Sequence, residues 1–181
     1  MKTGKAVILA ACACLLGACH NDRDDDRRSG TAERAMEKSD SAWIQDVAQG
    51  GMSEVRLSEM ATTQAQSEEV RRFARRLVND HTNANNDLRT VARGEGVTLP
   101  GTLDTHHREM AQNLARSNGT DFDRGYLRMM VDNHNKTVEK FEAAAAGASD
   151  AEVRAFAERT LPTLREHQRM AKEIADRLGA R

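Results

Sequence analysis

The chain has 181 residues, a net charge of −1, and 39% apolar but only 3% aromatic residues, enough for one domain with a real core. A near-neutral balance gives no electrostatic reason to bind nucleic acid, and so few rings argue against base-stacking platforms. All three cysteines, Cys12, Cys14 and Cys19, fall within the first nineteen residues, so the rest of the chain can form no disulfide, thiol nucleophile or Cys-type zinc site.

Lys2 and Lys5 precede an apolar run from Ala6 to Leu16 that is too short to cross a bilayer as a helix. The run closes on Leu16-Gly17-Ala18-Cys19, which resembles the bacterial lipoprotein processing signal. Residues 1–18 are therefore expected to leave as a signal peptide, taking Cys12 and Cys14 with them and leaving Cys19 to carry lipid. Two or more acyl chains suffice for a stable membrane anchor. Loss of Lys2 and Lys5 makes the mature chain two units more negative. His20 rather than Asp follows the lipidated position, which by the sorting pattern of enteric bacteria favours an outer-membrane lipoprotein facing the periplasm. The alternative is an ordinary secretory signal and a soluble periplasmic protein.

Residues 19–39 comprise that cysteine and a mixed-charge, apolar-poor segment, read as a disordered tether with a reach of about 25 Å. From Asp40 the pattern is helical, with apolar residues at steps of three and four. Helix A is expected over Asp40 to Thr63, with Ile44, Val47, Gly51, Val55, Ser58 and Ala61 inward. Helix B follows the N-cap Ser67 and acidic Glu68 and Glu69, and runs to near Gly94. Its stripe is Val70, Ala74, Leu77, His81, Ala84, Leu88 and Val91. The pairs Arg71-Arg72 and Arg75-Arg76 lie on its outer side beside those glutamates, as a solvated face. A long connection over residues 95–119 contains Leu99-Pro100-Gly101 and a short helical stretch from about Thr105 to Ser117.

Helix C opens with Thr120 and Asp123, read as a variant capping box, and carries Leu127, Met130, His134, Val138, Phe141 and Ala145 inward. Ser149-x-x-Glu152 opens helix D. Its stripe is Val153, Ala157, Thr160, Leu164, His167, Ala171, Ile174 and Leu178, with Gly179 ending it and Pro162 expected to kink it. Four long helices with two short turns and one long B–C connection describe an all-α, ferritin-like four-helix bundle in which B and C run parallel. An up-down-up-down bundle with a partial fifth helix is the alternative.

Three histidines, His81, His134 and His167, fall on the inward stripes of three different helices. His81 and His134 each lie fourteen residues into parallel helices, about 21 Å down, and so share a layer. His167, and Glu54 at the border of the helix A stripe, come out one to two turns away. Imidazole and carboxylate together suit iron, zinc, manganese or copper, so these four are candidate ligands of a transition metal ion. A hydrogen-bonded polar layer is the competing reading.

The Glu-x-x-His motif of di-iron bundles is missing, since Val78, Val131 and Leu164 stand three residues before the histidines. The spacings His167-x-x-Met170, His107-x-x-Met110 and Met130 four before His134 give an imidazole–thioether mix that suits copper. Asp80, Asp132 and Glu166 adjoin the three histidines in sequence and are expected on the surface, about 100° away around their helices.

Gly51-x-x-Glu54, Asp80-His81-Thr82 with Asn83 and Ala84, Phe122-Asp123-Arg124-x-Tyr126, His134, and Leu161-Pro162 followed by His167 together resemble the domain-of-unknown-function 4142 family (DUF4142). The resemblance covers about Asp40 to Leu178. It implies a ferritin-like bundle in the bacterial cell envelope, and carries no activity over.

Three functions follow as expectations. One is a lipid-anchored envelope or stress-related module acting through protein contacts. Another is a metal-binding bundle built on Glu54, His81, His134 and His167, with Met130 and Met170 secondary. The third is an oxidoreductase or hydrolase at the same place, which lacks a nameable acid/base partner. No Ser-x-Gly elbow, phosphate loop or Cys-x-x-Cys supports an enzyme.

Overall fold

The computed structural model describes residues 22–180, with side chains from Ser39 onward; the signal segment and Cys19 lie outside the described residues. Five helices follow one another: α1 (Asp22–Gln64), α2 (Glu68–Gly94), α3 (Thr105–Ala115), α4 (Gly119–Gly147) and α5 (Ala151–Arg177). The α1–α2 and α4–α5 hairpins pack on each other through α2 against α5 and α1 against α4, and α3 lies across α1 and α4. This is the all-α, ferritin-like bundle, with α3 carried in the α2–α4 connection.

Both ends of the bundle fix the direction of α4 relative to α2. At one end Ala65 and Gly119, which precede α2 and open α4, form an isolated parallel backbone bridge. At the other, the Asp150 N–H between α4 and α5 donates to Asp40 Oδ2 at 2.7 Å, beside the start of the packed part of α1. Helices α2 and α4 therefore run parallel, as the crossover requires.

The helix starts depart from the sequence pattern at four points. Helix α1 begins at Asp22 rather than Asp40, because a helix extended beyond the core has no apolar stripe by which periodicity could find it. Asp123 does not cap its own helix, whose N-cap is Asn118. Instead its carboxylate is buried and accepts the backbone N–H groups of Gln66 at 2.9 Å and Ser67 at 2.8 Å. It thus ties the α1–α2 turn to α4 and satisfies donors that no intrahelical carbonyl reaches. Ser67 occupies the α2 N-cap position without a side-chain capping bond. For α5 the cap is Asp150, one residue after the expected Ser149, accepting from Glu152 at 2.7 Å and Val153 at 2.9 Å. The helix continues through Pro162, which faces solvent, and closes where Gly179, at φ +60°, lets the Ala180 N–H reach the Ala175 carbonyl at 2.8 Å.

The α1 register also differs from the expected stripe. Ile44, Ala48, Leu57, Met60 and Ala61 are the buried apolar residues there, while Val47 and Val55 are half-buried. Glu54 and Ser58 share the inward face. Ser58 is fully buried because its hydroxyl pairs with that of Tyr126 at 2.9 Å, which supplies the partner that a buried polar group requires.

The apolar core comes in two clusters. One gathers Leu57, Phe73, Leu77, Phe122, Tyr126 and Ile174 toward the start of α2 and α4. The other gathers Ile44, Leu88, Val138, Phe141, Phe156 and Leu164 toward their ends. Between the two, in each of three helices, the inward position is a histidine.

Candidate metal centre

The register that builds the core also builds the site. On α2 the stripe passes from Leu77 to His81 to Leu88, on α4 from Met130 to His134 to Val138, and on α5 from Leu164 to His167 to Ala171. All three histidines are buried, at 6%, 1% and 1% exposure. Their ring centroids stand 5.5 Å apart for His81–His134, 5.3 Å for His81–His167 and 5.4 Å for His134–His167. Each offers one nitrogen to a trio whose atoms all lie within 4.8 Å of one another. To reach bond lengths near 2 Å around one centre, the rings need to draw in by at most about 0.7 Å.

Hydrogen bonding decides which nitrogens are available. A carbonyl can only accept, so the 2.9 Å contact between His134 Nδ1 and the Met130 carbonyl puts the proton on Nδ1 and leaves the lone pair on Nε2. His167 Nε2 donates to Asp80 Oδ2 at 2.9 Å, leaving its lone pair on Nδ1. Those two freed atoms, His134 Nε2 and His167 Nδ1, together with His81 Nε2, are buried and have no hydrogen-bond partner among the described residues. A layer built only for hydrogen bonding would pair such atoms with each other or with their neighbours.

The electrostatics keep the rings available as ligands. Burial, helped by the charges that His134 and His167 would carry, holds His81 well below the ordinary histidine value. Burial likewise lowers His167 to about 4, against the opposing pull of Asp80. Both are neutral at pH 7, the form that binds a metal. Partial burial would raise the Asp80 carboxyl, but the bonds from His167, Asn79 and Arg76 outweigh it and hold the group below the usual carboxylate range.

Glu54 lines a cavity of about 460 Å³ together with His81 and His134, but it stands outside the trio. Its Oε1 accepts from Asn133 at 3.1 Å, while its buried Oε2 has no hydrogen-bond partner among the described residues. Burial raises its carboxyl, against the lowering effects of His134, the Asn133 bond and His107. Gly51, one turn earlier, lies against Asn85 of α2: a Cβ there would lie 2.0 Å from Asn85 Oδ1.

The other residues flagged by sequence fall elsewhere. Met170 Sδ accepts from the Arg76 guanidinium at 3.4 Å in a surface groove between α2 and α5, and Met130 is buried in the cluster near the start of α4. Asp132 is exposed and pairs with Lys136, and Glu166 pairs with Arg169. Asp80 departs from the expectation of a surface residue, because it orients a ring of the trio. Ligating histidines commonly donate their second ring N–H to a carboxylate, but nothing in the sequence marks Asp80 as the partner of His167, 87 residues away.

The family model for the domain of unknown function DUF4142 matches residues 26–174. The chain belongs to the DUF4142 family. This DUF4142 bundle is similar in fold to a DUF305 fragment from Deinococcus radiodurans, at 16% identity and TM-score 0.66, covering 76% of this chain and 95% of that one. A DUF305 protein from Streptomyces coelicolor, described as secreted, gives 15% identity, TM-score 0.66, and coverages of 78% and 94%. CopM, solved in a silver-bound form, gives 17% identity, TM-score 0.63, and coverages of 76% and 96%. No curated protein sequence matches the chain. Among the described residues, no helix is long and apolar enough to cross a membrane.

Proposed function

We propose that this DUF4142 protein is a transition-metal-binding bundle whose ion is held by His81, His134 and His167. The observation that carries this reading is the convergence, from three helices, of three buried ring nitrogens with no hydrogen-bond partner among the described residues, two of them with their proton fixed on the far side of the ring. Imidazole suits copper, zinc, iron and nickel alike. Charge favours the monovalent choice. The desolvation cost of an ion grows with the square of its charge, and Asp80, ionised and one hydrogen bond from His167, balances one positive charge. Copper(I), with its tolerance for three ligands, fits that balance, and the silver-bound form of the similar CopM fold supports a soft monovalent ion.

The purified protein should take up one equivalent of copper(I) or silver(I) per chain in competition with a chromophoric chelator. A His81→Ala/His134→Ala variant with unchanged far-ultraviolet circular dichroism should take up none. Failure of the parent protein to retain copper, silver, zinc or iron at micromolar concentration would remove the reading.

The location we propose is the cell envelope, with lipid on Cys19 and the bundle facing the periplasm. Support comes from the Leu16-Gly17-Ala18-Cys19 sequence and its flanks. Cys19→Ser should release the protein from sedimenting membranes, and continued sedimentation would count against the anchor.

A further inference from the structure

The cavity that reaches His81 and His134 does not end at them. Its lining also includes His107 and Met110 of α3, Met129 of α4 and Glu54 of α1, and the Glu54 carboxyl is close enough to both His134 and His107 to feel their charges. The side chain of Gln49 clasps the start of α3 onto α1: its Nε2 donates to the Thr102 carbonyl at 3.1 Å and its Oε1 accepts from the Asp104 N–H at 3.0 Å. Asp104 in turn caps α3 and takes the His107 Nδ1 proton at 2.9 Å. A carboxylate can only accept in that bond, so the lone pair of His107 sits on Nε2. The His107 side chain is only 19% exposed.

Glu54 is the independent sign that something is bound in this throat. It is 6% exposed, its Oε1 is used by Asn133, and its Oε2 is buried without a hydrogen-bond partner among the described residues. A carboxylate oxygen left so is costly unless it meets a cation or a proton. The thioethers of Met110 and Met129, both partly buried, add soft donors of the kind that weakly hold copper(I) or silver(I). A deeply buried site needs an access path, and nothing charged crosses an apolar bundle unaided.

Building on the reading of the three-histidine centre, we propose that Glu54, His107 and Met110 form an outer holding station for a soft monovalent cation, through which the ion passes to the inner centre. The station holds its ion more weakly than the inner site, because its donors are mixed in kind and His107 and Met110 are only partly buried.

The full chain can be titrated with silver(I), which is diamagnetic, while histidine ring and methionine methyl resonances are followed. The first equivalent should shift the rings of His81, His134 and His167. Further silver should shift His107 and the Met110 and Met129 methyl groups. In rapid mixing with limiting silver, Glu54→Gln, His107→Ala and the near-isosteric Met110→Leu should each slow filling of the inner site by about tenfold, the order lost when a supporting group of a metal site is removed, with final occupancy unchanged. Unshifted His107 and Met110 signals at excess silver, or loading at the parent rate in all three variants, would overturn the station while leaving the inner site intact. Shifts confined to His107 and the methionines would remove the inner site and, with it, the station's role as its entry point, leaving a separate cation site.

Discussion

Asp80 Oδ2 accepts the Nε2 proton of His167 at 2.9 Å across the seam between α2 and α5, so the residue that precedes one ring of the trio in sequence holds another in its binding tautomer. Asp80→Ala should therefore weaken ion binding by about 10- to 100-fold, read by chelator competition. Asp80→Asn keeps an acceptor for the same proton and loses only the charge, so its loss should be smaller. Equal losses would mean that charge, not orientation, is what Asp80 supplies.

Acid should destabilise the metal-free protein through the same rings. Burial places His167 at about 4, below its ordinary 6.5, and His81 moves the same way. Between those values the unfolded chain binds protons that the folded chain refuses, so stability is complete above pH 6.5 and is lost as pH falls toward 4. His167 alone accounts for on the order of 3 kcal/mol. Urea midpoints at pH 7, 5.5 and 4.5 should fall, and His167→Gln should flatten the dependence. A parent midpoint that holds steady over this range would contradict the neutral burial of the rings.

Asp123 should matter for stability and not for the ion. Its carboxylate takes two backbone N–H groups of the α1–α2 turn, and hydrogen bonds to charged groups are worth about 1.5–3 kcal/mol each. Asp123→Ala is expected to cost about 3 kcal/mol or more by the same scale, with Asp123→Asn intermediate. Chemical denaturation measures the loss, and silver stoichiometry of the folded variants should stay that of the parent.

Two neighbouring glycines of α1 should respond oppositely to side chains. A Cβ at Gly50 meets nothing within 4 Å, so Gly50→Ala should stabilise by up to about 1 kcal/mol through helix propensity. At Gly51 the Asn85 side chain stands in the way, and Gly51→Leu should cost about 1–3 kcal/mol by overpacking. Thermal melts of the two variants give the comparison directly. A stabilised Gly51→Leu would mean that the Asn85 side chain gives way there.

Most of this architecture could be read from periodicity. The stripes of α2 and α4 placed His81 and His134 in one layer because a long helix fixes the depth of each residue to within a turn, whereas His167, counted from the other end of α5, was expected one to two turns away and in fact joins them. What escaped was the chemistry between helices. Asp123 looked like a cap because its spacing from Thr120 is local, whereas its partners, Gln66 and Ser67, are remote in sequence. Asp80 looked like a surface residue because 100° around an isolated helix points away from the core. At a seam between two helices, that direction points at the neighbour. The inward burial of Glu54 was only half visible, since polar positions on α1 blur its stripe and leave the register uncertain by one residue.

One arrangement has a wider effect. His81 belongs to the first hairpin, α1–α2, while His134 and His167 both belong to the second, α4–α5. An ion shared by the three would add a clasp between halves already joined by a long crossover, by apolar packing above and below it, and by hydrogen bonds such as Ser58–Tyr126 and Asp80–His167. Its binding energy would be felt as resistance to prising the halves apart. Loss of the ion would then loosen the bundle at its waist, and the mechanical firmness of the whole rod would register the supply of metal around it.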